Sequence, residues 1–191
     1  TRLWARRAEA ADQMRAAREN RLYLPGAPFP EALEVTHDLG PLTESDAVIL
    51  APPSHGYREV LREFLKAVRE RGGGDVLRLV SATKGIEAGT LARMSRVSAE
   101  ECAAAGVDHR FVVLSGPTFA AELARGVPSA AVVASSDEEL AAELRHALAS
   151  PTFRLYSTTD VVGVELAGAA KNVIAIAAGV VAGLELGHST L

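Results

Sequence analysis

Cysteine is nearly missing from this chain of 191 residues, in which Cys102 stands alone. That excludes an intrachain disulfide framework and any cysteine-based metal cluster, and it suits a reducing compartment. No metal ion is expected. An excess of one charge is lacking too. The formal charge of −4 gives no global pull toward nucleic acid or anionic membrane. No signal-peptide pattern opens the chain, and neither an internal repeat nor a low-complexity tract runs through it. His37, His109 and His146 stand singly and are expected at the surface. The chain starts at Thr1 rather than Met and stops at Leu191 after a Gly-rich stretch. It is therefore expected to be incomplete at both ends.

Present instead is an ordinary globular composition, 48% hydrophobic and 23% charged, in a length that fills one domain and part of another. Short apolar runs alternate with helical patterns. Leu3-Trp4 reads as the tail of a strand, and residues 47–51, 76–80, 111–114, 130–134 and 153–156 as further strands. Helical periodicity predicts helices over 8–18, 56–71, 90–105 and 137–149, with a rigid Pro-rich loop over 23–30. Gly72-Gly-Gly74 stops the second helix, and the Ser135-Ser-Asp-Glu-Glu cluster caps the fourth. Such alternation predicts an α/β fold, a Rossmann-type doubly wound and mainly parallel sheet.

Lys171 is the most informative residue. It sits in Val161-Val-Gly-Val-Glu-Leu-Ala-Gly-Ala-Ala-Lys-Asn-Val-Ile-Ala-Ile-Ala-Ala-Gly179, where almost every neighbour is small or apolar. On a helix its face is shared by Val164, Ala167, Gly168, Ile174, Ala175 and Ala178. Four of those six are Ala or Gly, which leaves room for another molecule. Desolvating an ammonium favours its neutral form, which suits proton transfer near neutral pH. The segment is also long enough for a membrane span. Glu165, Lys171, Asn172 and the Ala/Gly content argue against an integral membrane segment. An ordinary core helix with a snorkelling lysine is the remaining alternative.

In doubly wound sheets ligands bind outside the C-terminal ends of the strands. The loops at those ends carry Arg6-Arg7, Pro52-Pro-Ser-His55, Ser81-Ala-Thr-Lys-Gly85 and Ser115-Gly-Pro-Thr118. Arg6 and Arg7 follow the presumed second strand, where arginine accepts a 2′-phosphate and an acid would bond a 2′-hydroxyl. No acid stands at that strand end. Lys84 can reach a phosphate or a polar substrate. Gly116 lets a ligand touch the backbone, Pro117 suits a helix start and Thr118 can cap it. Each signal has a plain counterpart, a solvated basic helix start, a surface lysine or a capped helix.

Taken together and in this order, the stretches resemble the bacterial NAD(P)-dependent glycerol-3-phosphate dehydrogenases. The resemblance rests on Trp4-Ala-Arg-Arg7, Arg18-Glu-Asn-Arg-Leu-Tyr-Leu-Pro-Gly26, Pro53-Ser-His55, Thr83-Lys-Gly-Ile-Glu87, Leu114-Ser-Gly-Pro-Thr-Phe-Ala-Ala-Glu122, Phe153-Arg-Leu-Tyr156 and the Lys171 segment. It implies that Lys171 is the catalytic proton-transfer lysine and also meets substrate. It implies that Lys84 contacts cofactor and substrate, that Gly116 and Thr118 line the substrate site, that Ala120 touches the cofactor, and that Arg6 and Arg7 face its adenosine end. It implies that residues 1–158 form a Rossmann-type domain with an incomplete first βαβ unit, and that residues 159–191 are a connecting helix and the start of an all-α second domain. NADP or NAD would be the cofactor. Dihydroxyacetone phosphate and sn-glycerol 3-phosphate would be the substrates, in the cytoplasm, feeding phospholipid synthesis. A homodimer stays open. So do two rivals, another 6-phosphogluconate-dehydrogenase-like enzyme acting on a hydroxy acid or sugar phosphate, and a nucleotide-binding module without catalysis.

Three departures stand out. The family opens with a strand and a G-x-G-x-x-G loop that this sequence does not contain. It also continues into a helical domain whose arginine grips the substrate phosphate. Near the end, where the family usually reads Gly-x-Asn-Thr, this chain has Gly187-His-Ser-Thr190, so Ser189 replaces an amide side chain. On these grounds the 191 residues alone are expected to be inactive.

Overall fold

A computed structural model describes residues 1–72 and 76–187. Strands β3 (Val48–Leu50), β4 (Leu77–Ser81), β5 (His109–Ser115), β6 (Ser129–Ala134) and β7 (Phe153–Thr158) form one sheet in that order. Strands β1 (Arg2–Trp4) and β2 (Glu34–Thr36) form a separate parallel pair. The five-stranded sheet is covered on both faces, because successive strand residues point to opposite sides. Leu79 therefore joins Val48, Leu50 and the apolar faces of helices α2 (Tyr57–Glu70) and α3 (Met94–Ala105), while its neighbour Val80 joins Val112, Val133 and helix α5 (Glu138–Leu148). Helix α2 shows how the sequence dictates this layer. Tyr57, Val60, Leu61, Phe64, Leu65 and Val68 are all buried and repeat at the three-and-four spacing of one apolar stripe.

The doubly wound sheet is as expected, with one reversal. Strands β3, β4 and β5 are parallel, but β6 runs antiparallel to β5, and β7 follows β6. Thr158, the end of β7, is thus level with Ala134 and Val113, not with Ser115. Helix α6 (Val161–Gly183) follows from that end, two residues short of Ser115 along β5, and its Gly168 reaches Ser115.

Several local expectations are corrected. Helix α3 starts at Met94 rather than near Thr90, because Gly89 and Leu91 have φ of 89° and 57°, outside the helical region. Pro117 does not start a helix and Thr118 does not cap one. The five-residue helix α4 (Ala120–Ala124) begins after Phe119, which lacks a side-chain cap, and the Thr118 N–H bonds to the Gly116 carbonyl at 2.9 Å. Strand β2 escaped the sequence reading, since three residues with Val35 alone buried give no measurable period. His109 is half-buried, not a surface residue, and burial lowers its pKa despite the opposing charge of Asp108. The cap on α5 is as expected, with Asp137 accepting from the Leu140 N–H at 3.0 Å. Helix α1 (Ala8–Ala17) ends at Arg18 in the left-handed region. Gly73 and Gly74 of the glycine stop lie outside the described residues.

By length and composition α6 could cross a membrane. Its first half is instead tied to the domain through Glu165, the one buried residue of the helix. Its second half is open, with Val173 and Ile176 each about two-thirds exposed at 66% and 68%.

Candidate functional site

Three of the four loops singled out above converge. The Thr83 hydroxyl donates to the Pro52 carbonyl at 2.7 Å, which ties the loop after β4 to the loop after β3. Gly85 closes that junction. Its φ is 136°, and a Cβ there would stand 2.9 Å from Ser54 Oγ, so only glycine fits. The Lys84 ammonium, between these anchors, donates to the Gly116 carbonyl after β5 at 2.7 Å. Gly116 is itself obligatory. A Cβ on it would meet the Ala131 Cα at 2.7 Å and the Ala130 carbonyl at 2.8 Å, in the adjacent strand.

Helix α6 supplies the second amine. Gly168 lets it approach β5, since a Cβ there would lie 2.9 Å from Ser115 Oγ and 3.8 Å from Lys84 Cγ. One turn on, Lys171 is half-buried, with its ammonium 4.7 Å above the centre of the Phe119 ring. Such a cation–π contact is worth about 0.5–1 kcal/mol where exposed, enough to bias the position of a long side chain. Desolvation lowers the pKa of Lys84, and the positive charge of Lys171 lowers it further. Two ammonium groups on separate elements thus lie close enough for the charge of one to act on the other. The repulsion between them is relieved by an anion or an oxygen bearing partial negative charge. The Ala167, Ile174 and Ala175 positions of the Lys171 face are exposed.

Thr118 is half-buried beside Gly116, and Ala120 is exposed at the first turn of α4. Arg6 and Arg7 make no hydrogen bond or ion pair with this cluster among the described residues. Arg6 pairs with Glu59 at 2.8 Å, so the expectation of no opposing acid is corrected. Glu59 comes from a distant element that the strand end could not reveal. Arg7, in the extended conformation before α1, has an exposed side chain. A groove of about 820 Å³ runs beside both arginines, lined also by Leu3, Trp4, Met14 and Tyr23. Ser189 lies outside the described residues. The sequence reading gave no role to Phe119, Ser54 or Glu165. Phe119 lies inside a quoted motif, but its proximity to Lys171 is a tertiary fact without a local signal.

Residues 1–141 match the sequence model for the N-terminal part of NAD-dependent glycerol-3-phosphate dehydrogenase, and residues 160–191 match that for its C-terminal part. The chain belongs to the NAD-dependent glycerol-3-phosphate dehydrogenase family. It is 45% identical over its whole length to glycerol-3-phosphate dehydrogenase [NAD(P)+] of Koribacter versatilis and 47% identical over 98% of its length to that of Corynebacterium glutamicum. In each case it spans 55% of the relative. Among solved structures, the glycerol-3-phosphate dehydrogenase of Coxiella burnetii superposes on 98% of the chain with a TM-score of 0.85 at 33% identity, again over 55% of that protein. The chain thus spans about half the length of these dehydrogenases.

Proposed function

We propose that the protein containing this chain interconverts dihydroxyacetone phosphate and sn-glycerol 3-phosphate with NADP or NAD, in the cytoplasm. The observation that carries the reading is the nearness of two lysines at the C-terminal ends of β4 and β5, with Lys84 on the Gly116 carbonyl, Lys171 over Phe119, and the charge of Lys171 felt at Lys84. When bound, the nicotinamide supplies or accepts the hydride at C2 of the three-carbon substrate. Lys171 transfers the proton on the oxygen of that carbon, as acid in reduction and as base in oxidation. Lys84, fixed by its bond to Gly116, orients the substrate and stabilises negative charge beside the nicotinamide end. Gly116 and Thr118 form the wall against which the substrate rests, and Ala120 offers an exposed methyl to the cofactor.

The chain's residues fit the ends of such a cofactor. The exposed Arg7 and the groove beside it suit the adenosine end, and the two-lysine cluster suits the nicotinamide end. The G-x-G-x-x-G cradle for the pyrophosphate is not in these residues. A division after residue 158 is supported by the cap at Asp160 and by the separate family matches over 1–141 and 160–191. The open half of α6 would then be covered by the rest of the helical domain. Assembly as a homodimer is part of the same proposal, checked by light scattering of the full-length protein.

The deciding experiment is Lys171→Ala in the full-length enzyme. Turnover is expected to vanish while NADH binding, followed by fluorescence, stays nearly intact. Turnover within about tenfold of wild type, some 1.4 kcal/mol of barrier, would remove Lys171 from the proton-transfer role.

A further inference from the structure

Glu165 is a buried carboxylate that the proposed chemistry does not use. It is 6% exposed and sits two turns before Lys171 on α6. Both oxygens are committed to the start of α3. One accepts from the Ser95 backbone N–H at 2.7 Å; the other accepts from the Ser95 hydroxyl and from Arg93, each at 2.6 Å. The start of α3 needs such a partner. Its N-cap residue, Arg93, makes no side-chain cap, and its first turn holds no acid. The free N–H groups and positive end of the helix dipole therefore lack a local acceptor. Glu165 supplies it from another helix, with the charge-assisted geometry that makes such bonds short and directional.

The placement of this cap along α6 gives it a second consequence. Glu165, Gly168 and Lys171 are spaced three residues apart, each about 4.5 Å further along the axis and about 60° round from the last. Glu165 rests on α3, Gly168 on Ser115 of β5, and Lys171 over Phe119. Gly168 brings only a smooth surface to its contact and cannot resist rotation or sliding of the helix. Glu165 can, because three directed hydrogen bonds fix it. We propose that Glu165, held by Ser95 and Arg93, is a positioning residue that sets the rotation and register of α6 and so aims the Lys171 ammonium at the site beside Lys84.

This rests on the catalytic reading of Lys171, and the test separates the two. In the full-length enzyme, Glu165→Gln, Arg93→Gln, Lys171→Ala and the double variant Glu165→Gln/Lys171→Ala are assayed for kcat, for KM with dihydroxyacetone phosphate, for NADH affinity and for melting temperature. Glu165→Gln keeps the volume and loses the charge. We expect kcat to fall about tenfold or more, with KM and NADH affinity within about twofold. Arg93→Gln, at the partly exposed end of the pair, should show a smaller loss of the same kind and keeps the test intact if Glu165→Gln fails to fold. Because Glu165 acts through Lys171, adding Glu165→Gln to Lys171→Ala should leave the residual rate unchanged. Unchanged kcat in both Glu165→Gln and Arg93→Gln overturns the proposal, as does a further additive loss in the double variant. Full turnover in Lys171→Ala would instead sink the catalytic reading itself.

Discussion

At the scale of single residues, Lys84 should leave a mark on the pH dependence of the enzyme. Its pKa is lowered from 10.5 by burial first and by Lys171 second. The charged form is therefore lost as pH rises, at a pH below the ordinary lysine range. The alkaline limb of kcat/KM for dihydroxyacetone phosphate is expected below pH 10.5, and Lys84→Arg, which keeps its charge, should move that limb upward. A profile unchanged by Lys84→Arg would show that another group sets the limb. Gly116 gives a second prediction. Its missing Cβ is replaced by the backbone of the neighbouring strand at 2.7–2.8 Å, so Gly116→Ala must push β5 and β6 apart. We expect about 1–3 kcal/mol of destabilisation, measured by urea unfolding, together with loss of turnover as the Lys84 acceptor moves. The arginines at the end of β1 give a third. Arg6→Ala/Arg7→Ala should weaken NADPH more than NADH, and Glu59→Ala, which frees Arg6 from its 2.8 Å ion pair, should favour NADPH. Equal losses for the two cofactors in titration would show that the pair does not read the 2′-phosphate.

At the scale of elements, the loop carrying Lys84 is braced from behind. Arg58 on α2 makes a two-pronged bond to Glu87 at 2.6 and 2.8 Å, and also reaches Glu100 and Glu101 on α3. Arg62 adds to Glu101. The hydrogen bonds from Arg58 and Thr90 hold Glu87 down at about 2, from an ordinary 4.5. A carboxylate whose folded pKa is depressed contributes stability above its unfolded pKa and loses it as pH falls through the folded one. The Glu87 contribution is thus complete above about pH 4.5 and disappears between 4.5 and 2. Stability measured against pH should fall less steeply in that window for Glu87→Gln than for wild type. Equal slopes would show that Glu87 is not the group being protonated.

At the scale of the whole molecule, two features of the described residues stand out. One is that the β1–β2 pair shares no strand ladder with the five-stranded sheet among the described residues. The other is the outer face of α6, where Val173, Ile174, Ile176 and Val180 are all more than half exposed. An apolar stripe of that length is a binding or aggregation surface. Residues 1–191 expressed alone should bind a hydrophobic dye and oxidise neither NADH nor NADPH with dihydroxyacetone phosphate. The pyrophosphate would lack its backbone cradle, and the lysine cluster would stay open to water. Substrate-dependent turnover above a no-enzyme control would show that the chemistry needs fewer parts.

What the sequence determined by itself is whatever depends on neighbours along the chain. The stripe of α2, the cap at Asp137 and the strand runs are short-range patterns, and they read correctly within a few residues. The small-residue setting of Lys171 and the ordered motifs around Lys84 and Gly116 pointed to the family by the same route. The bounds that failed were those set by one backbone angle, such as the left-handed Leu91 before α3, or by three-residue pairing, as in β2. Only the tertiary structure decided that β6 runs against β5, since strand direction is fixed by hydrogen bonds between segments and leaves no local trace. That reversal ends β7 level with Val113, and α6 follows from there, with Glu165 bonded to the start of α3 and Lys171 close enough to Lys84 for its charge to be felt there. Arg6 found its acid, Glu59, by the same kind of long-range meeting, which no reading of the β1 end could have foreseen.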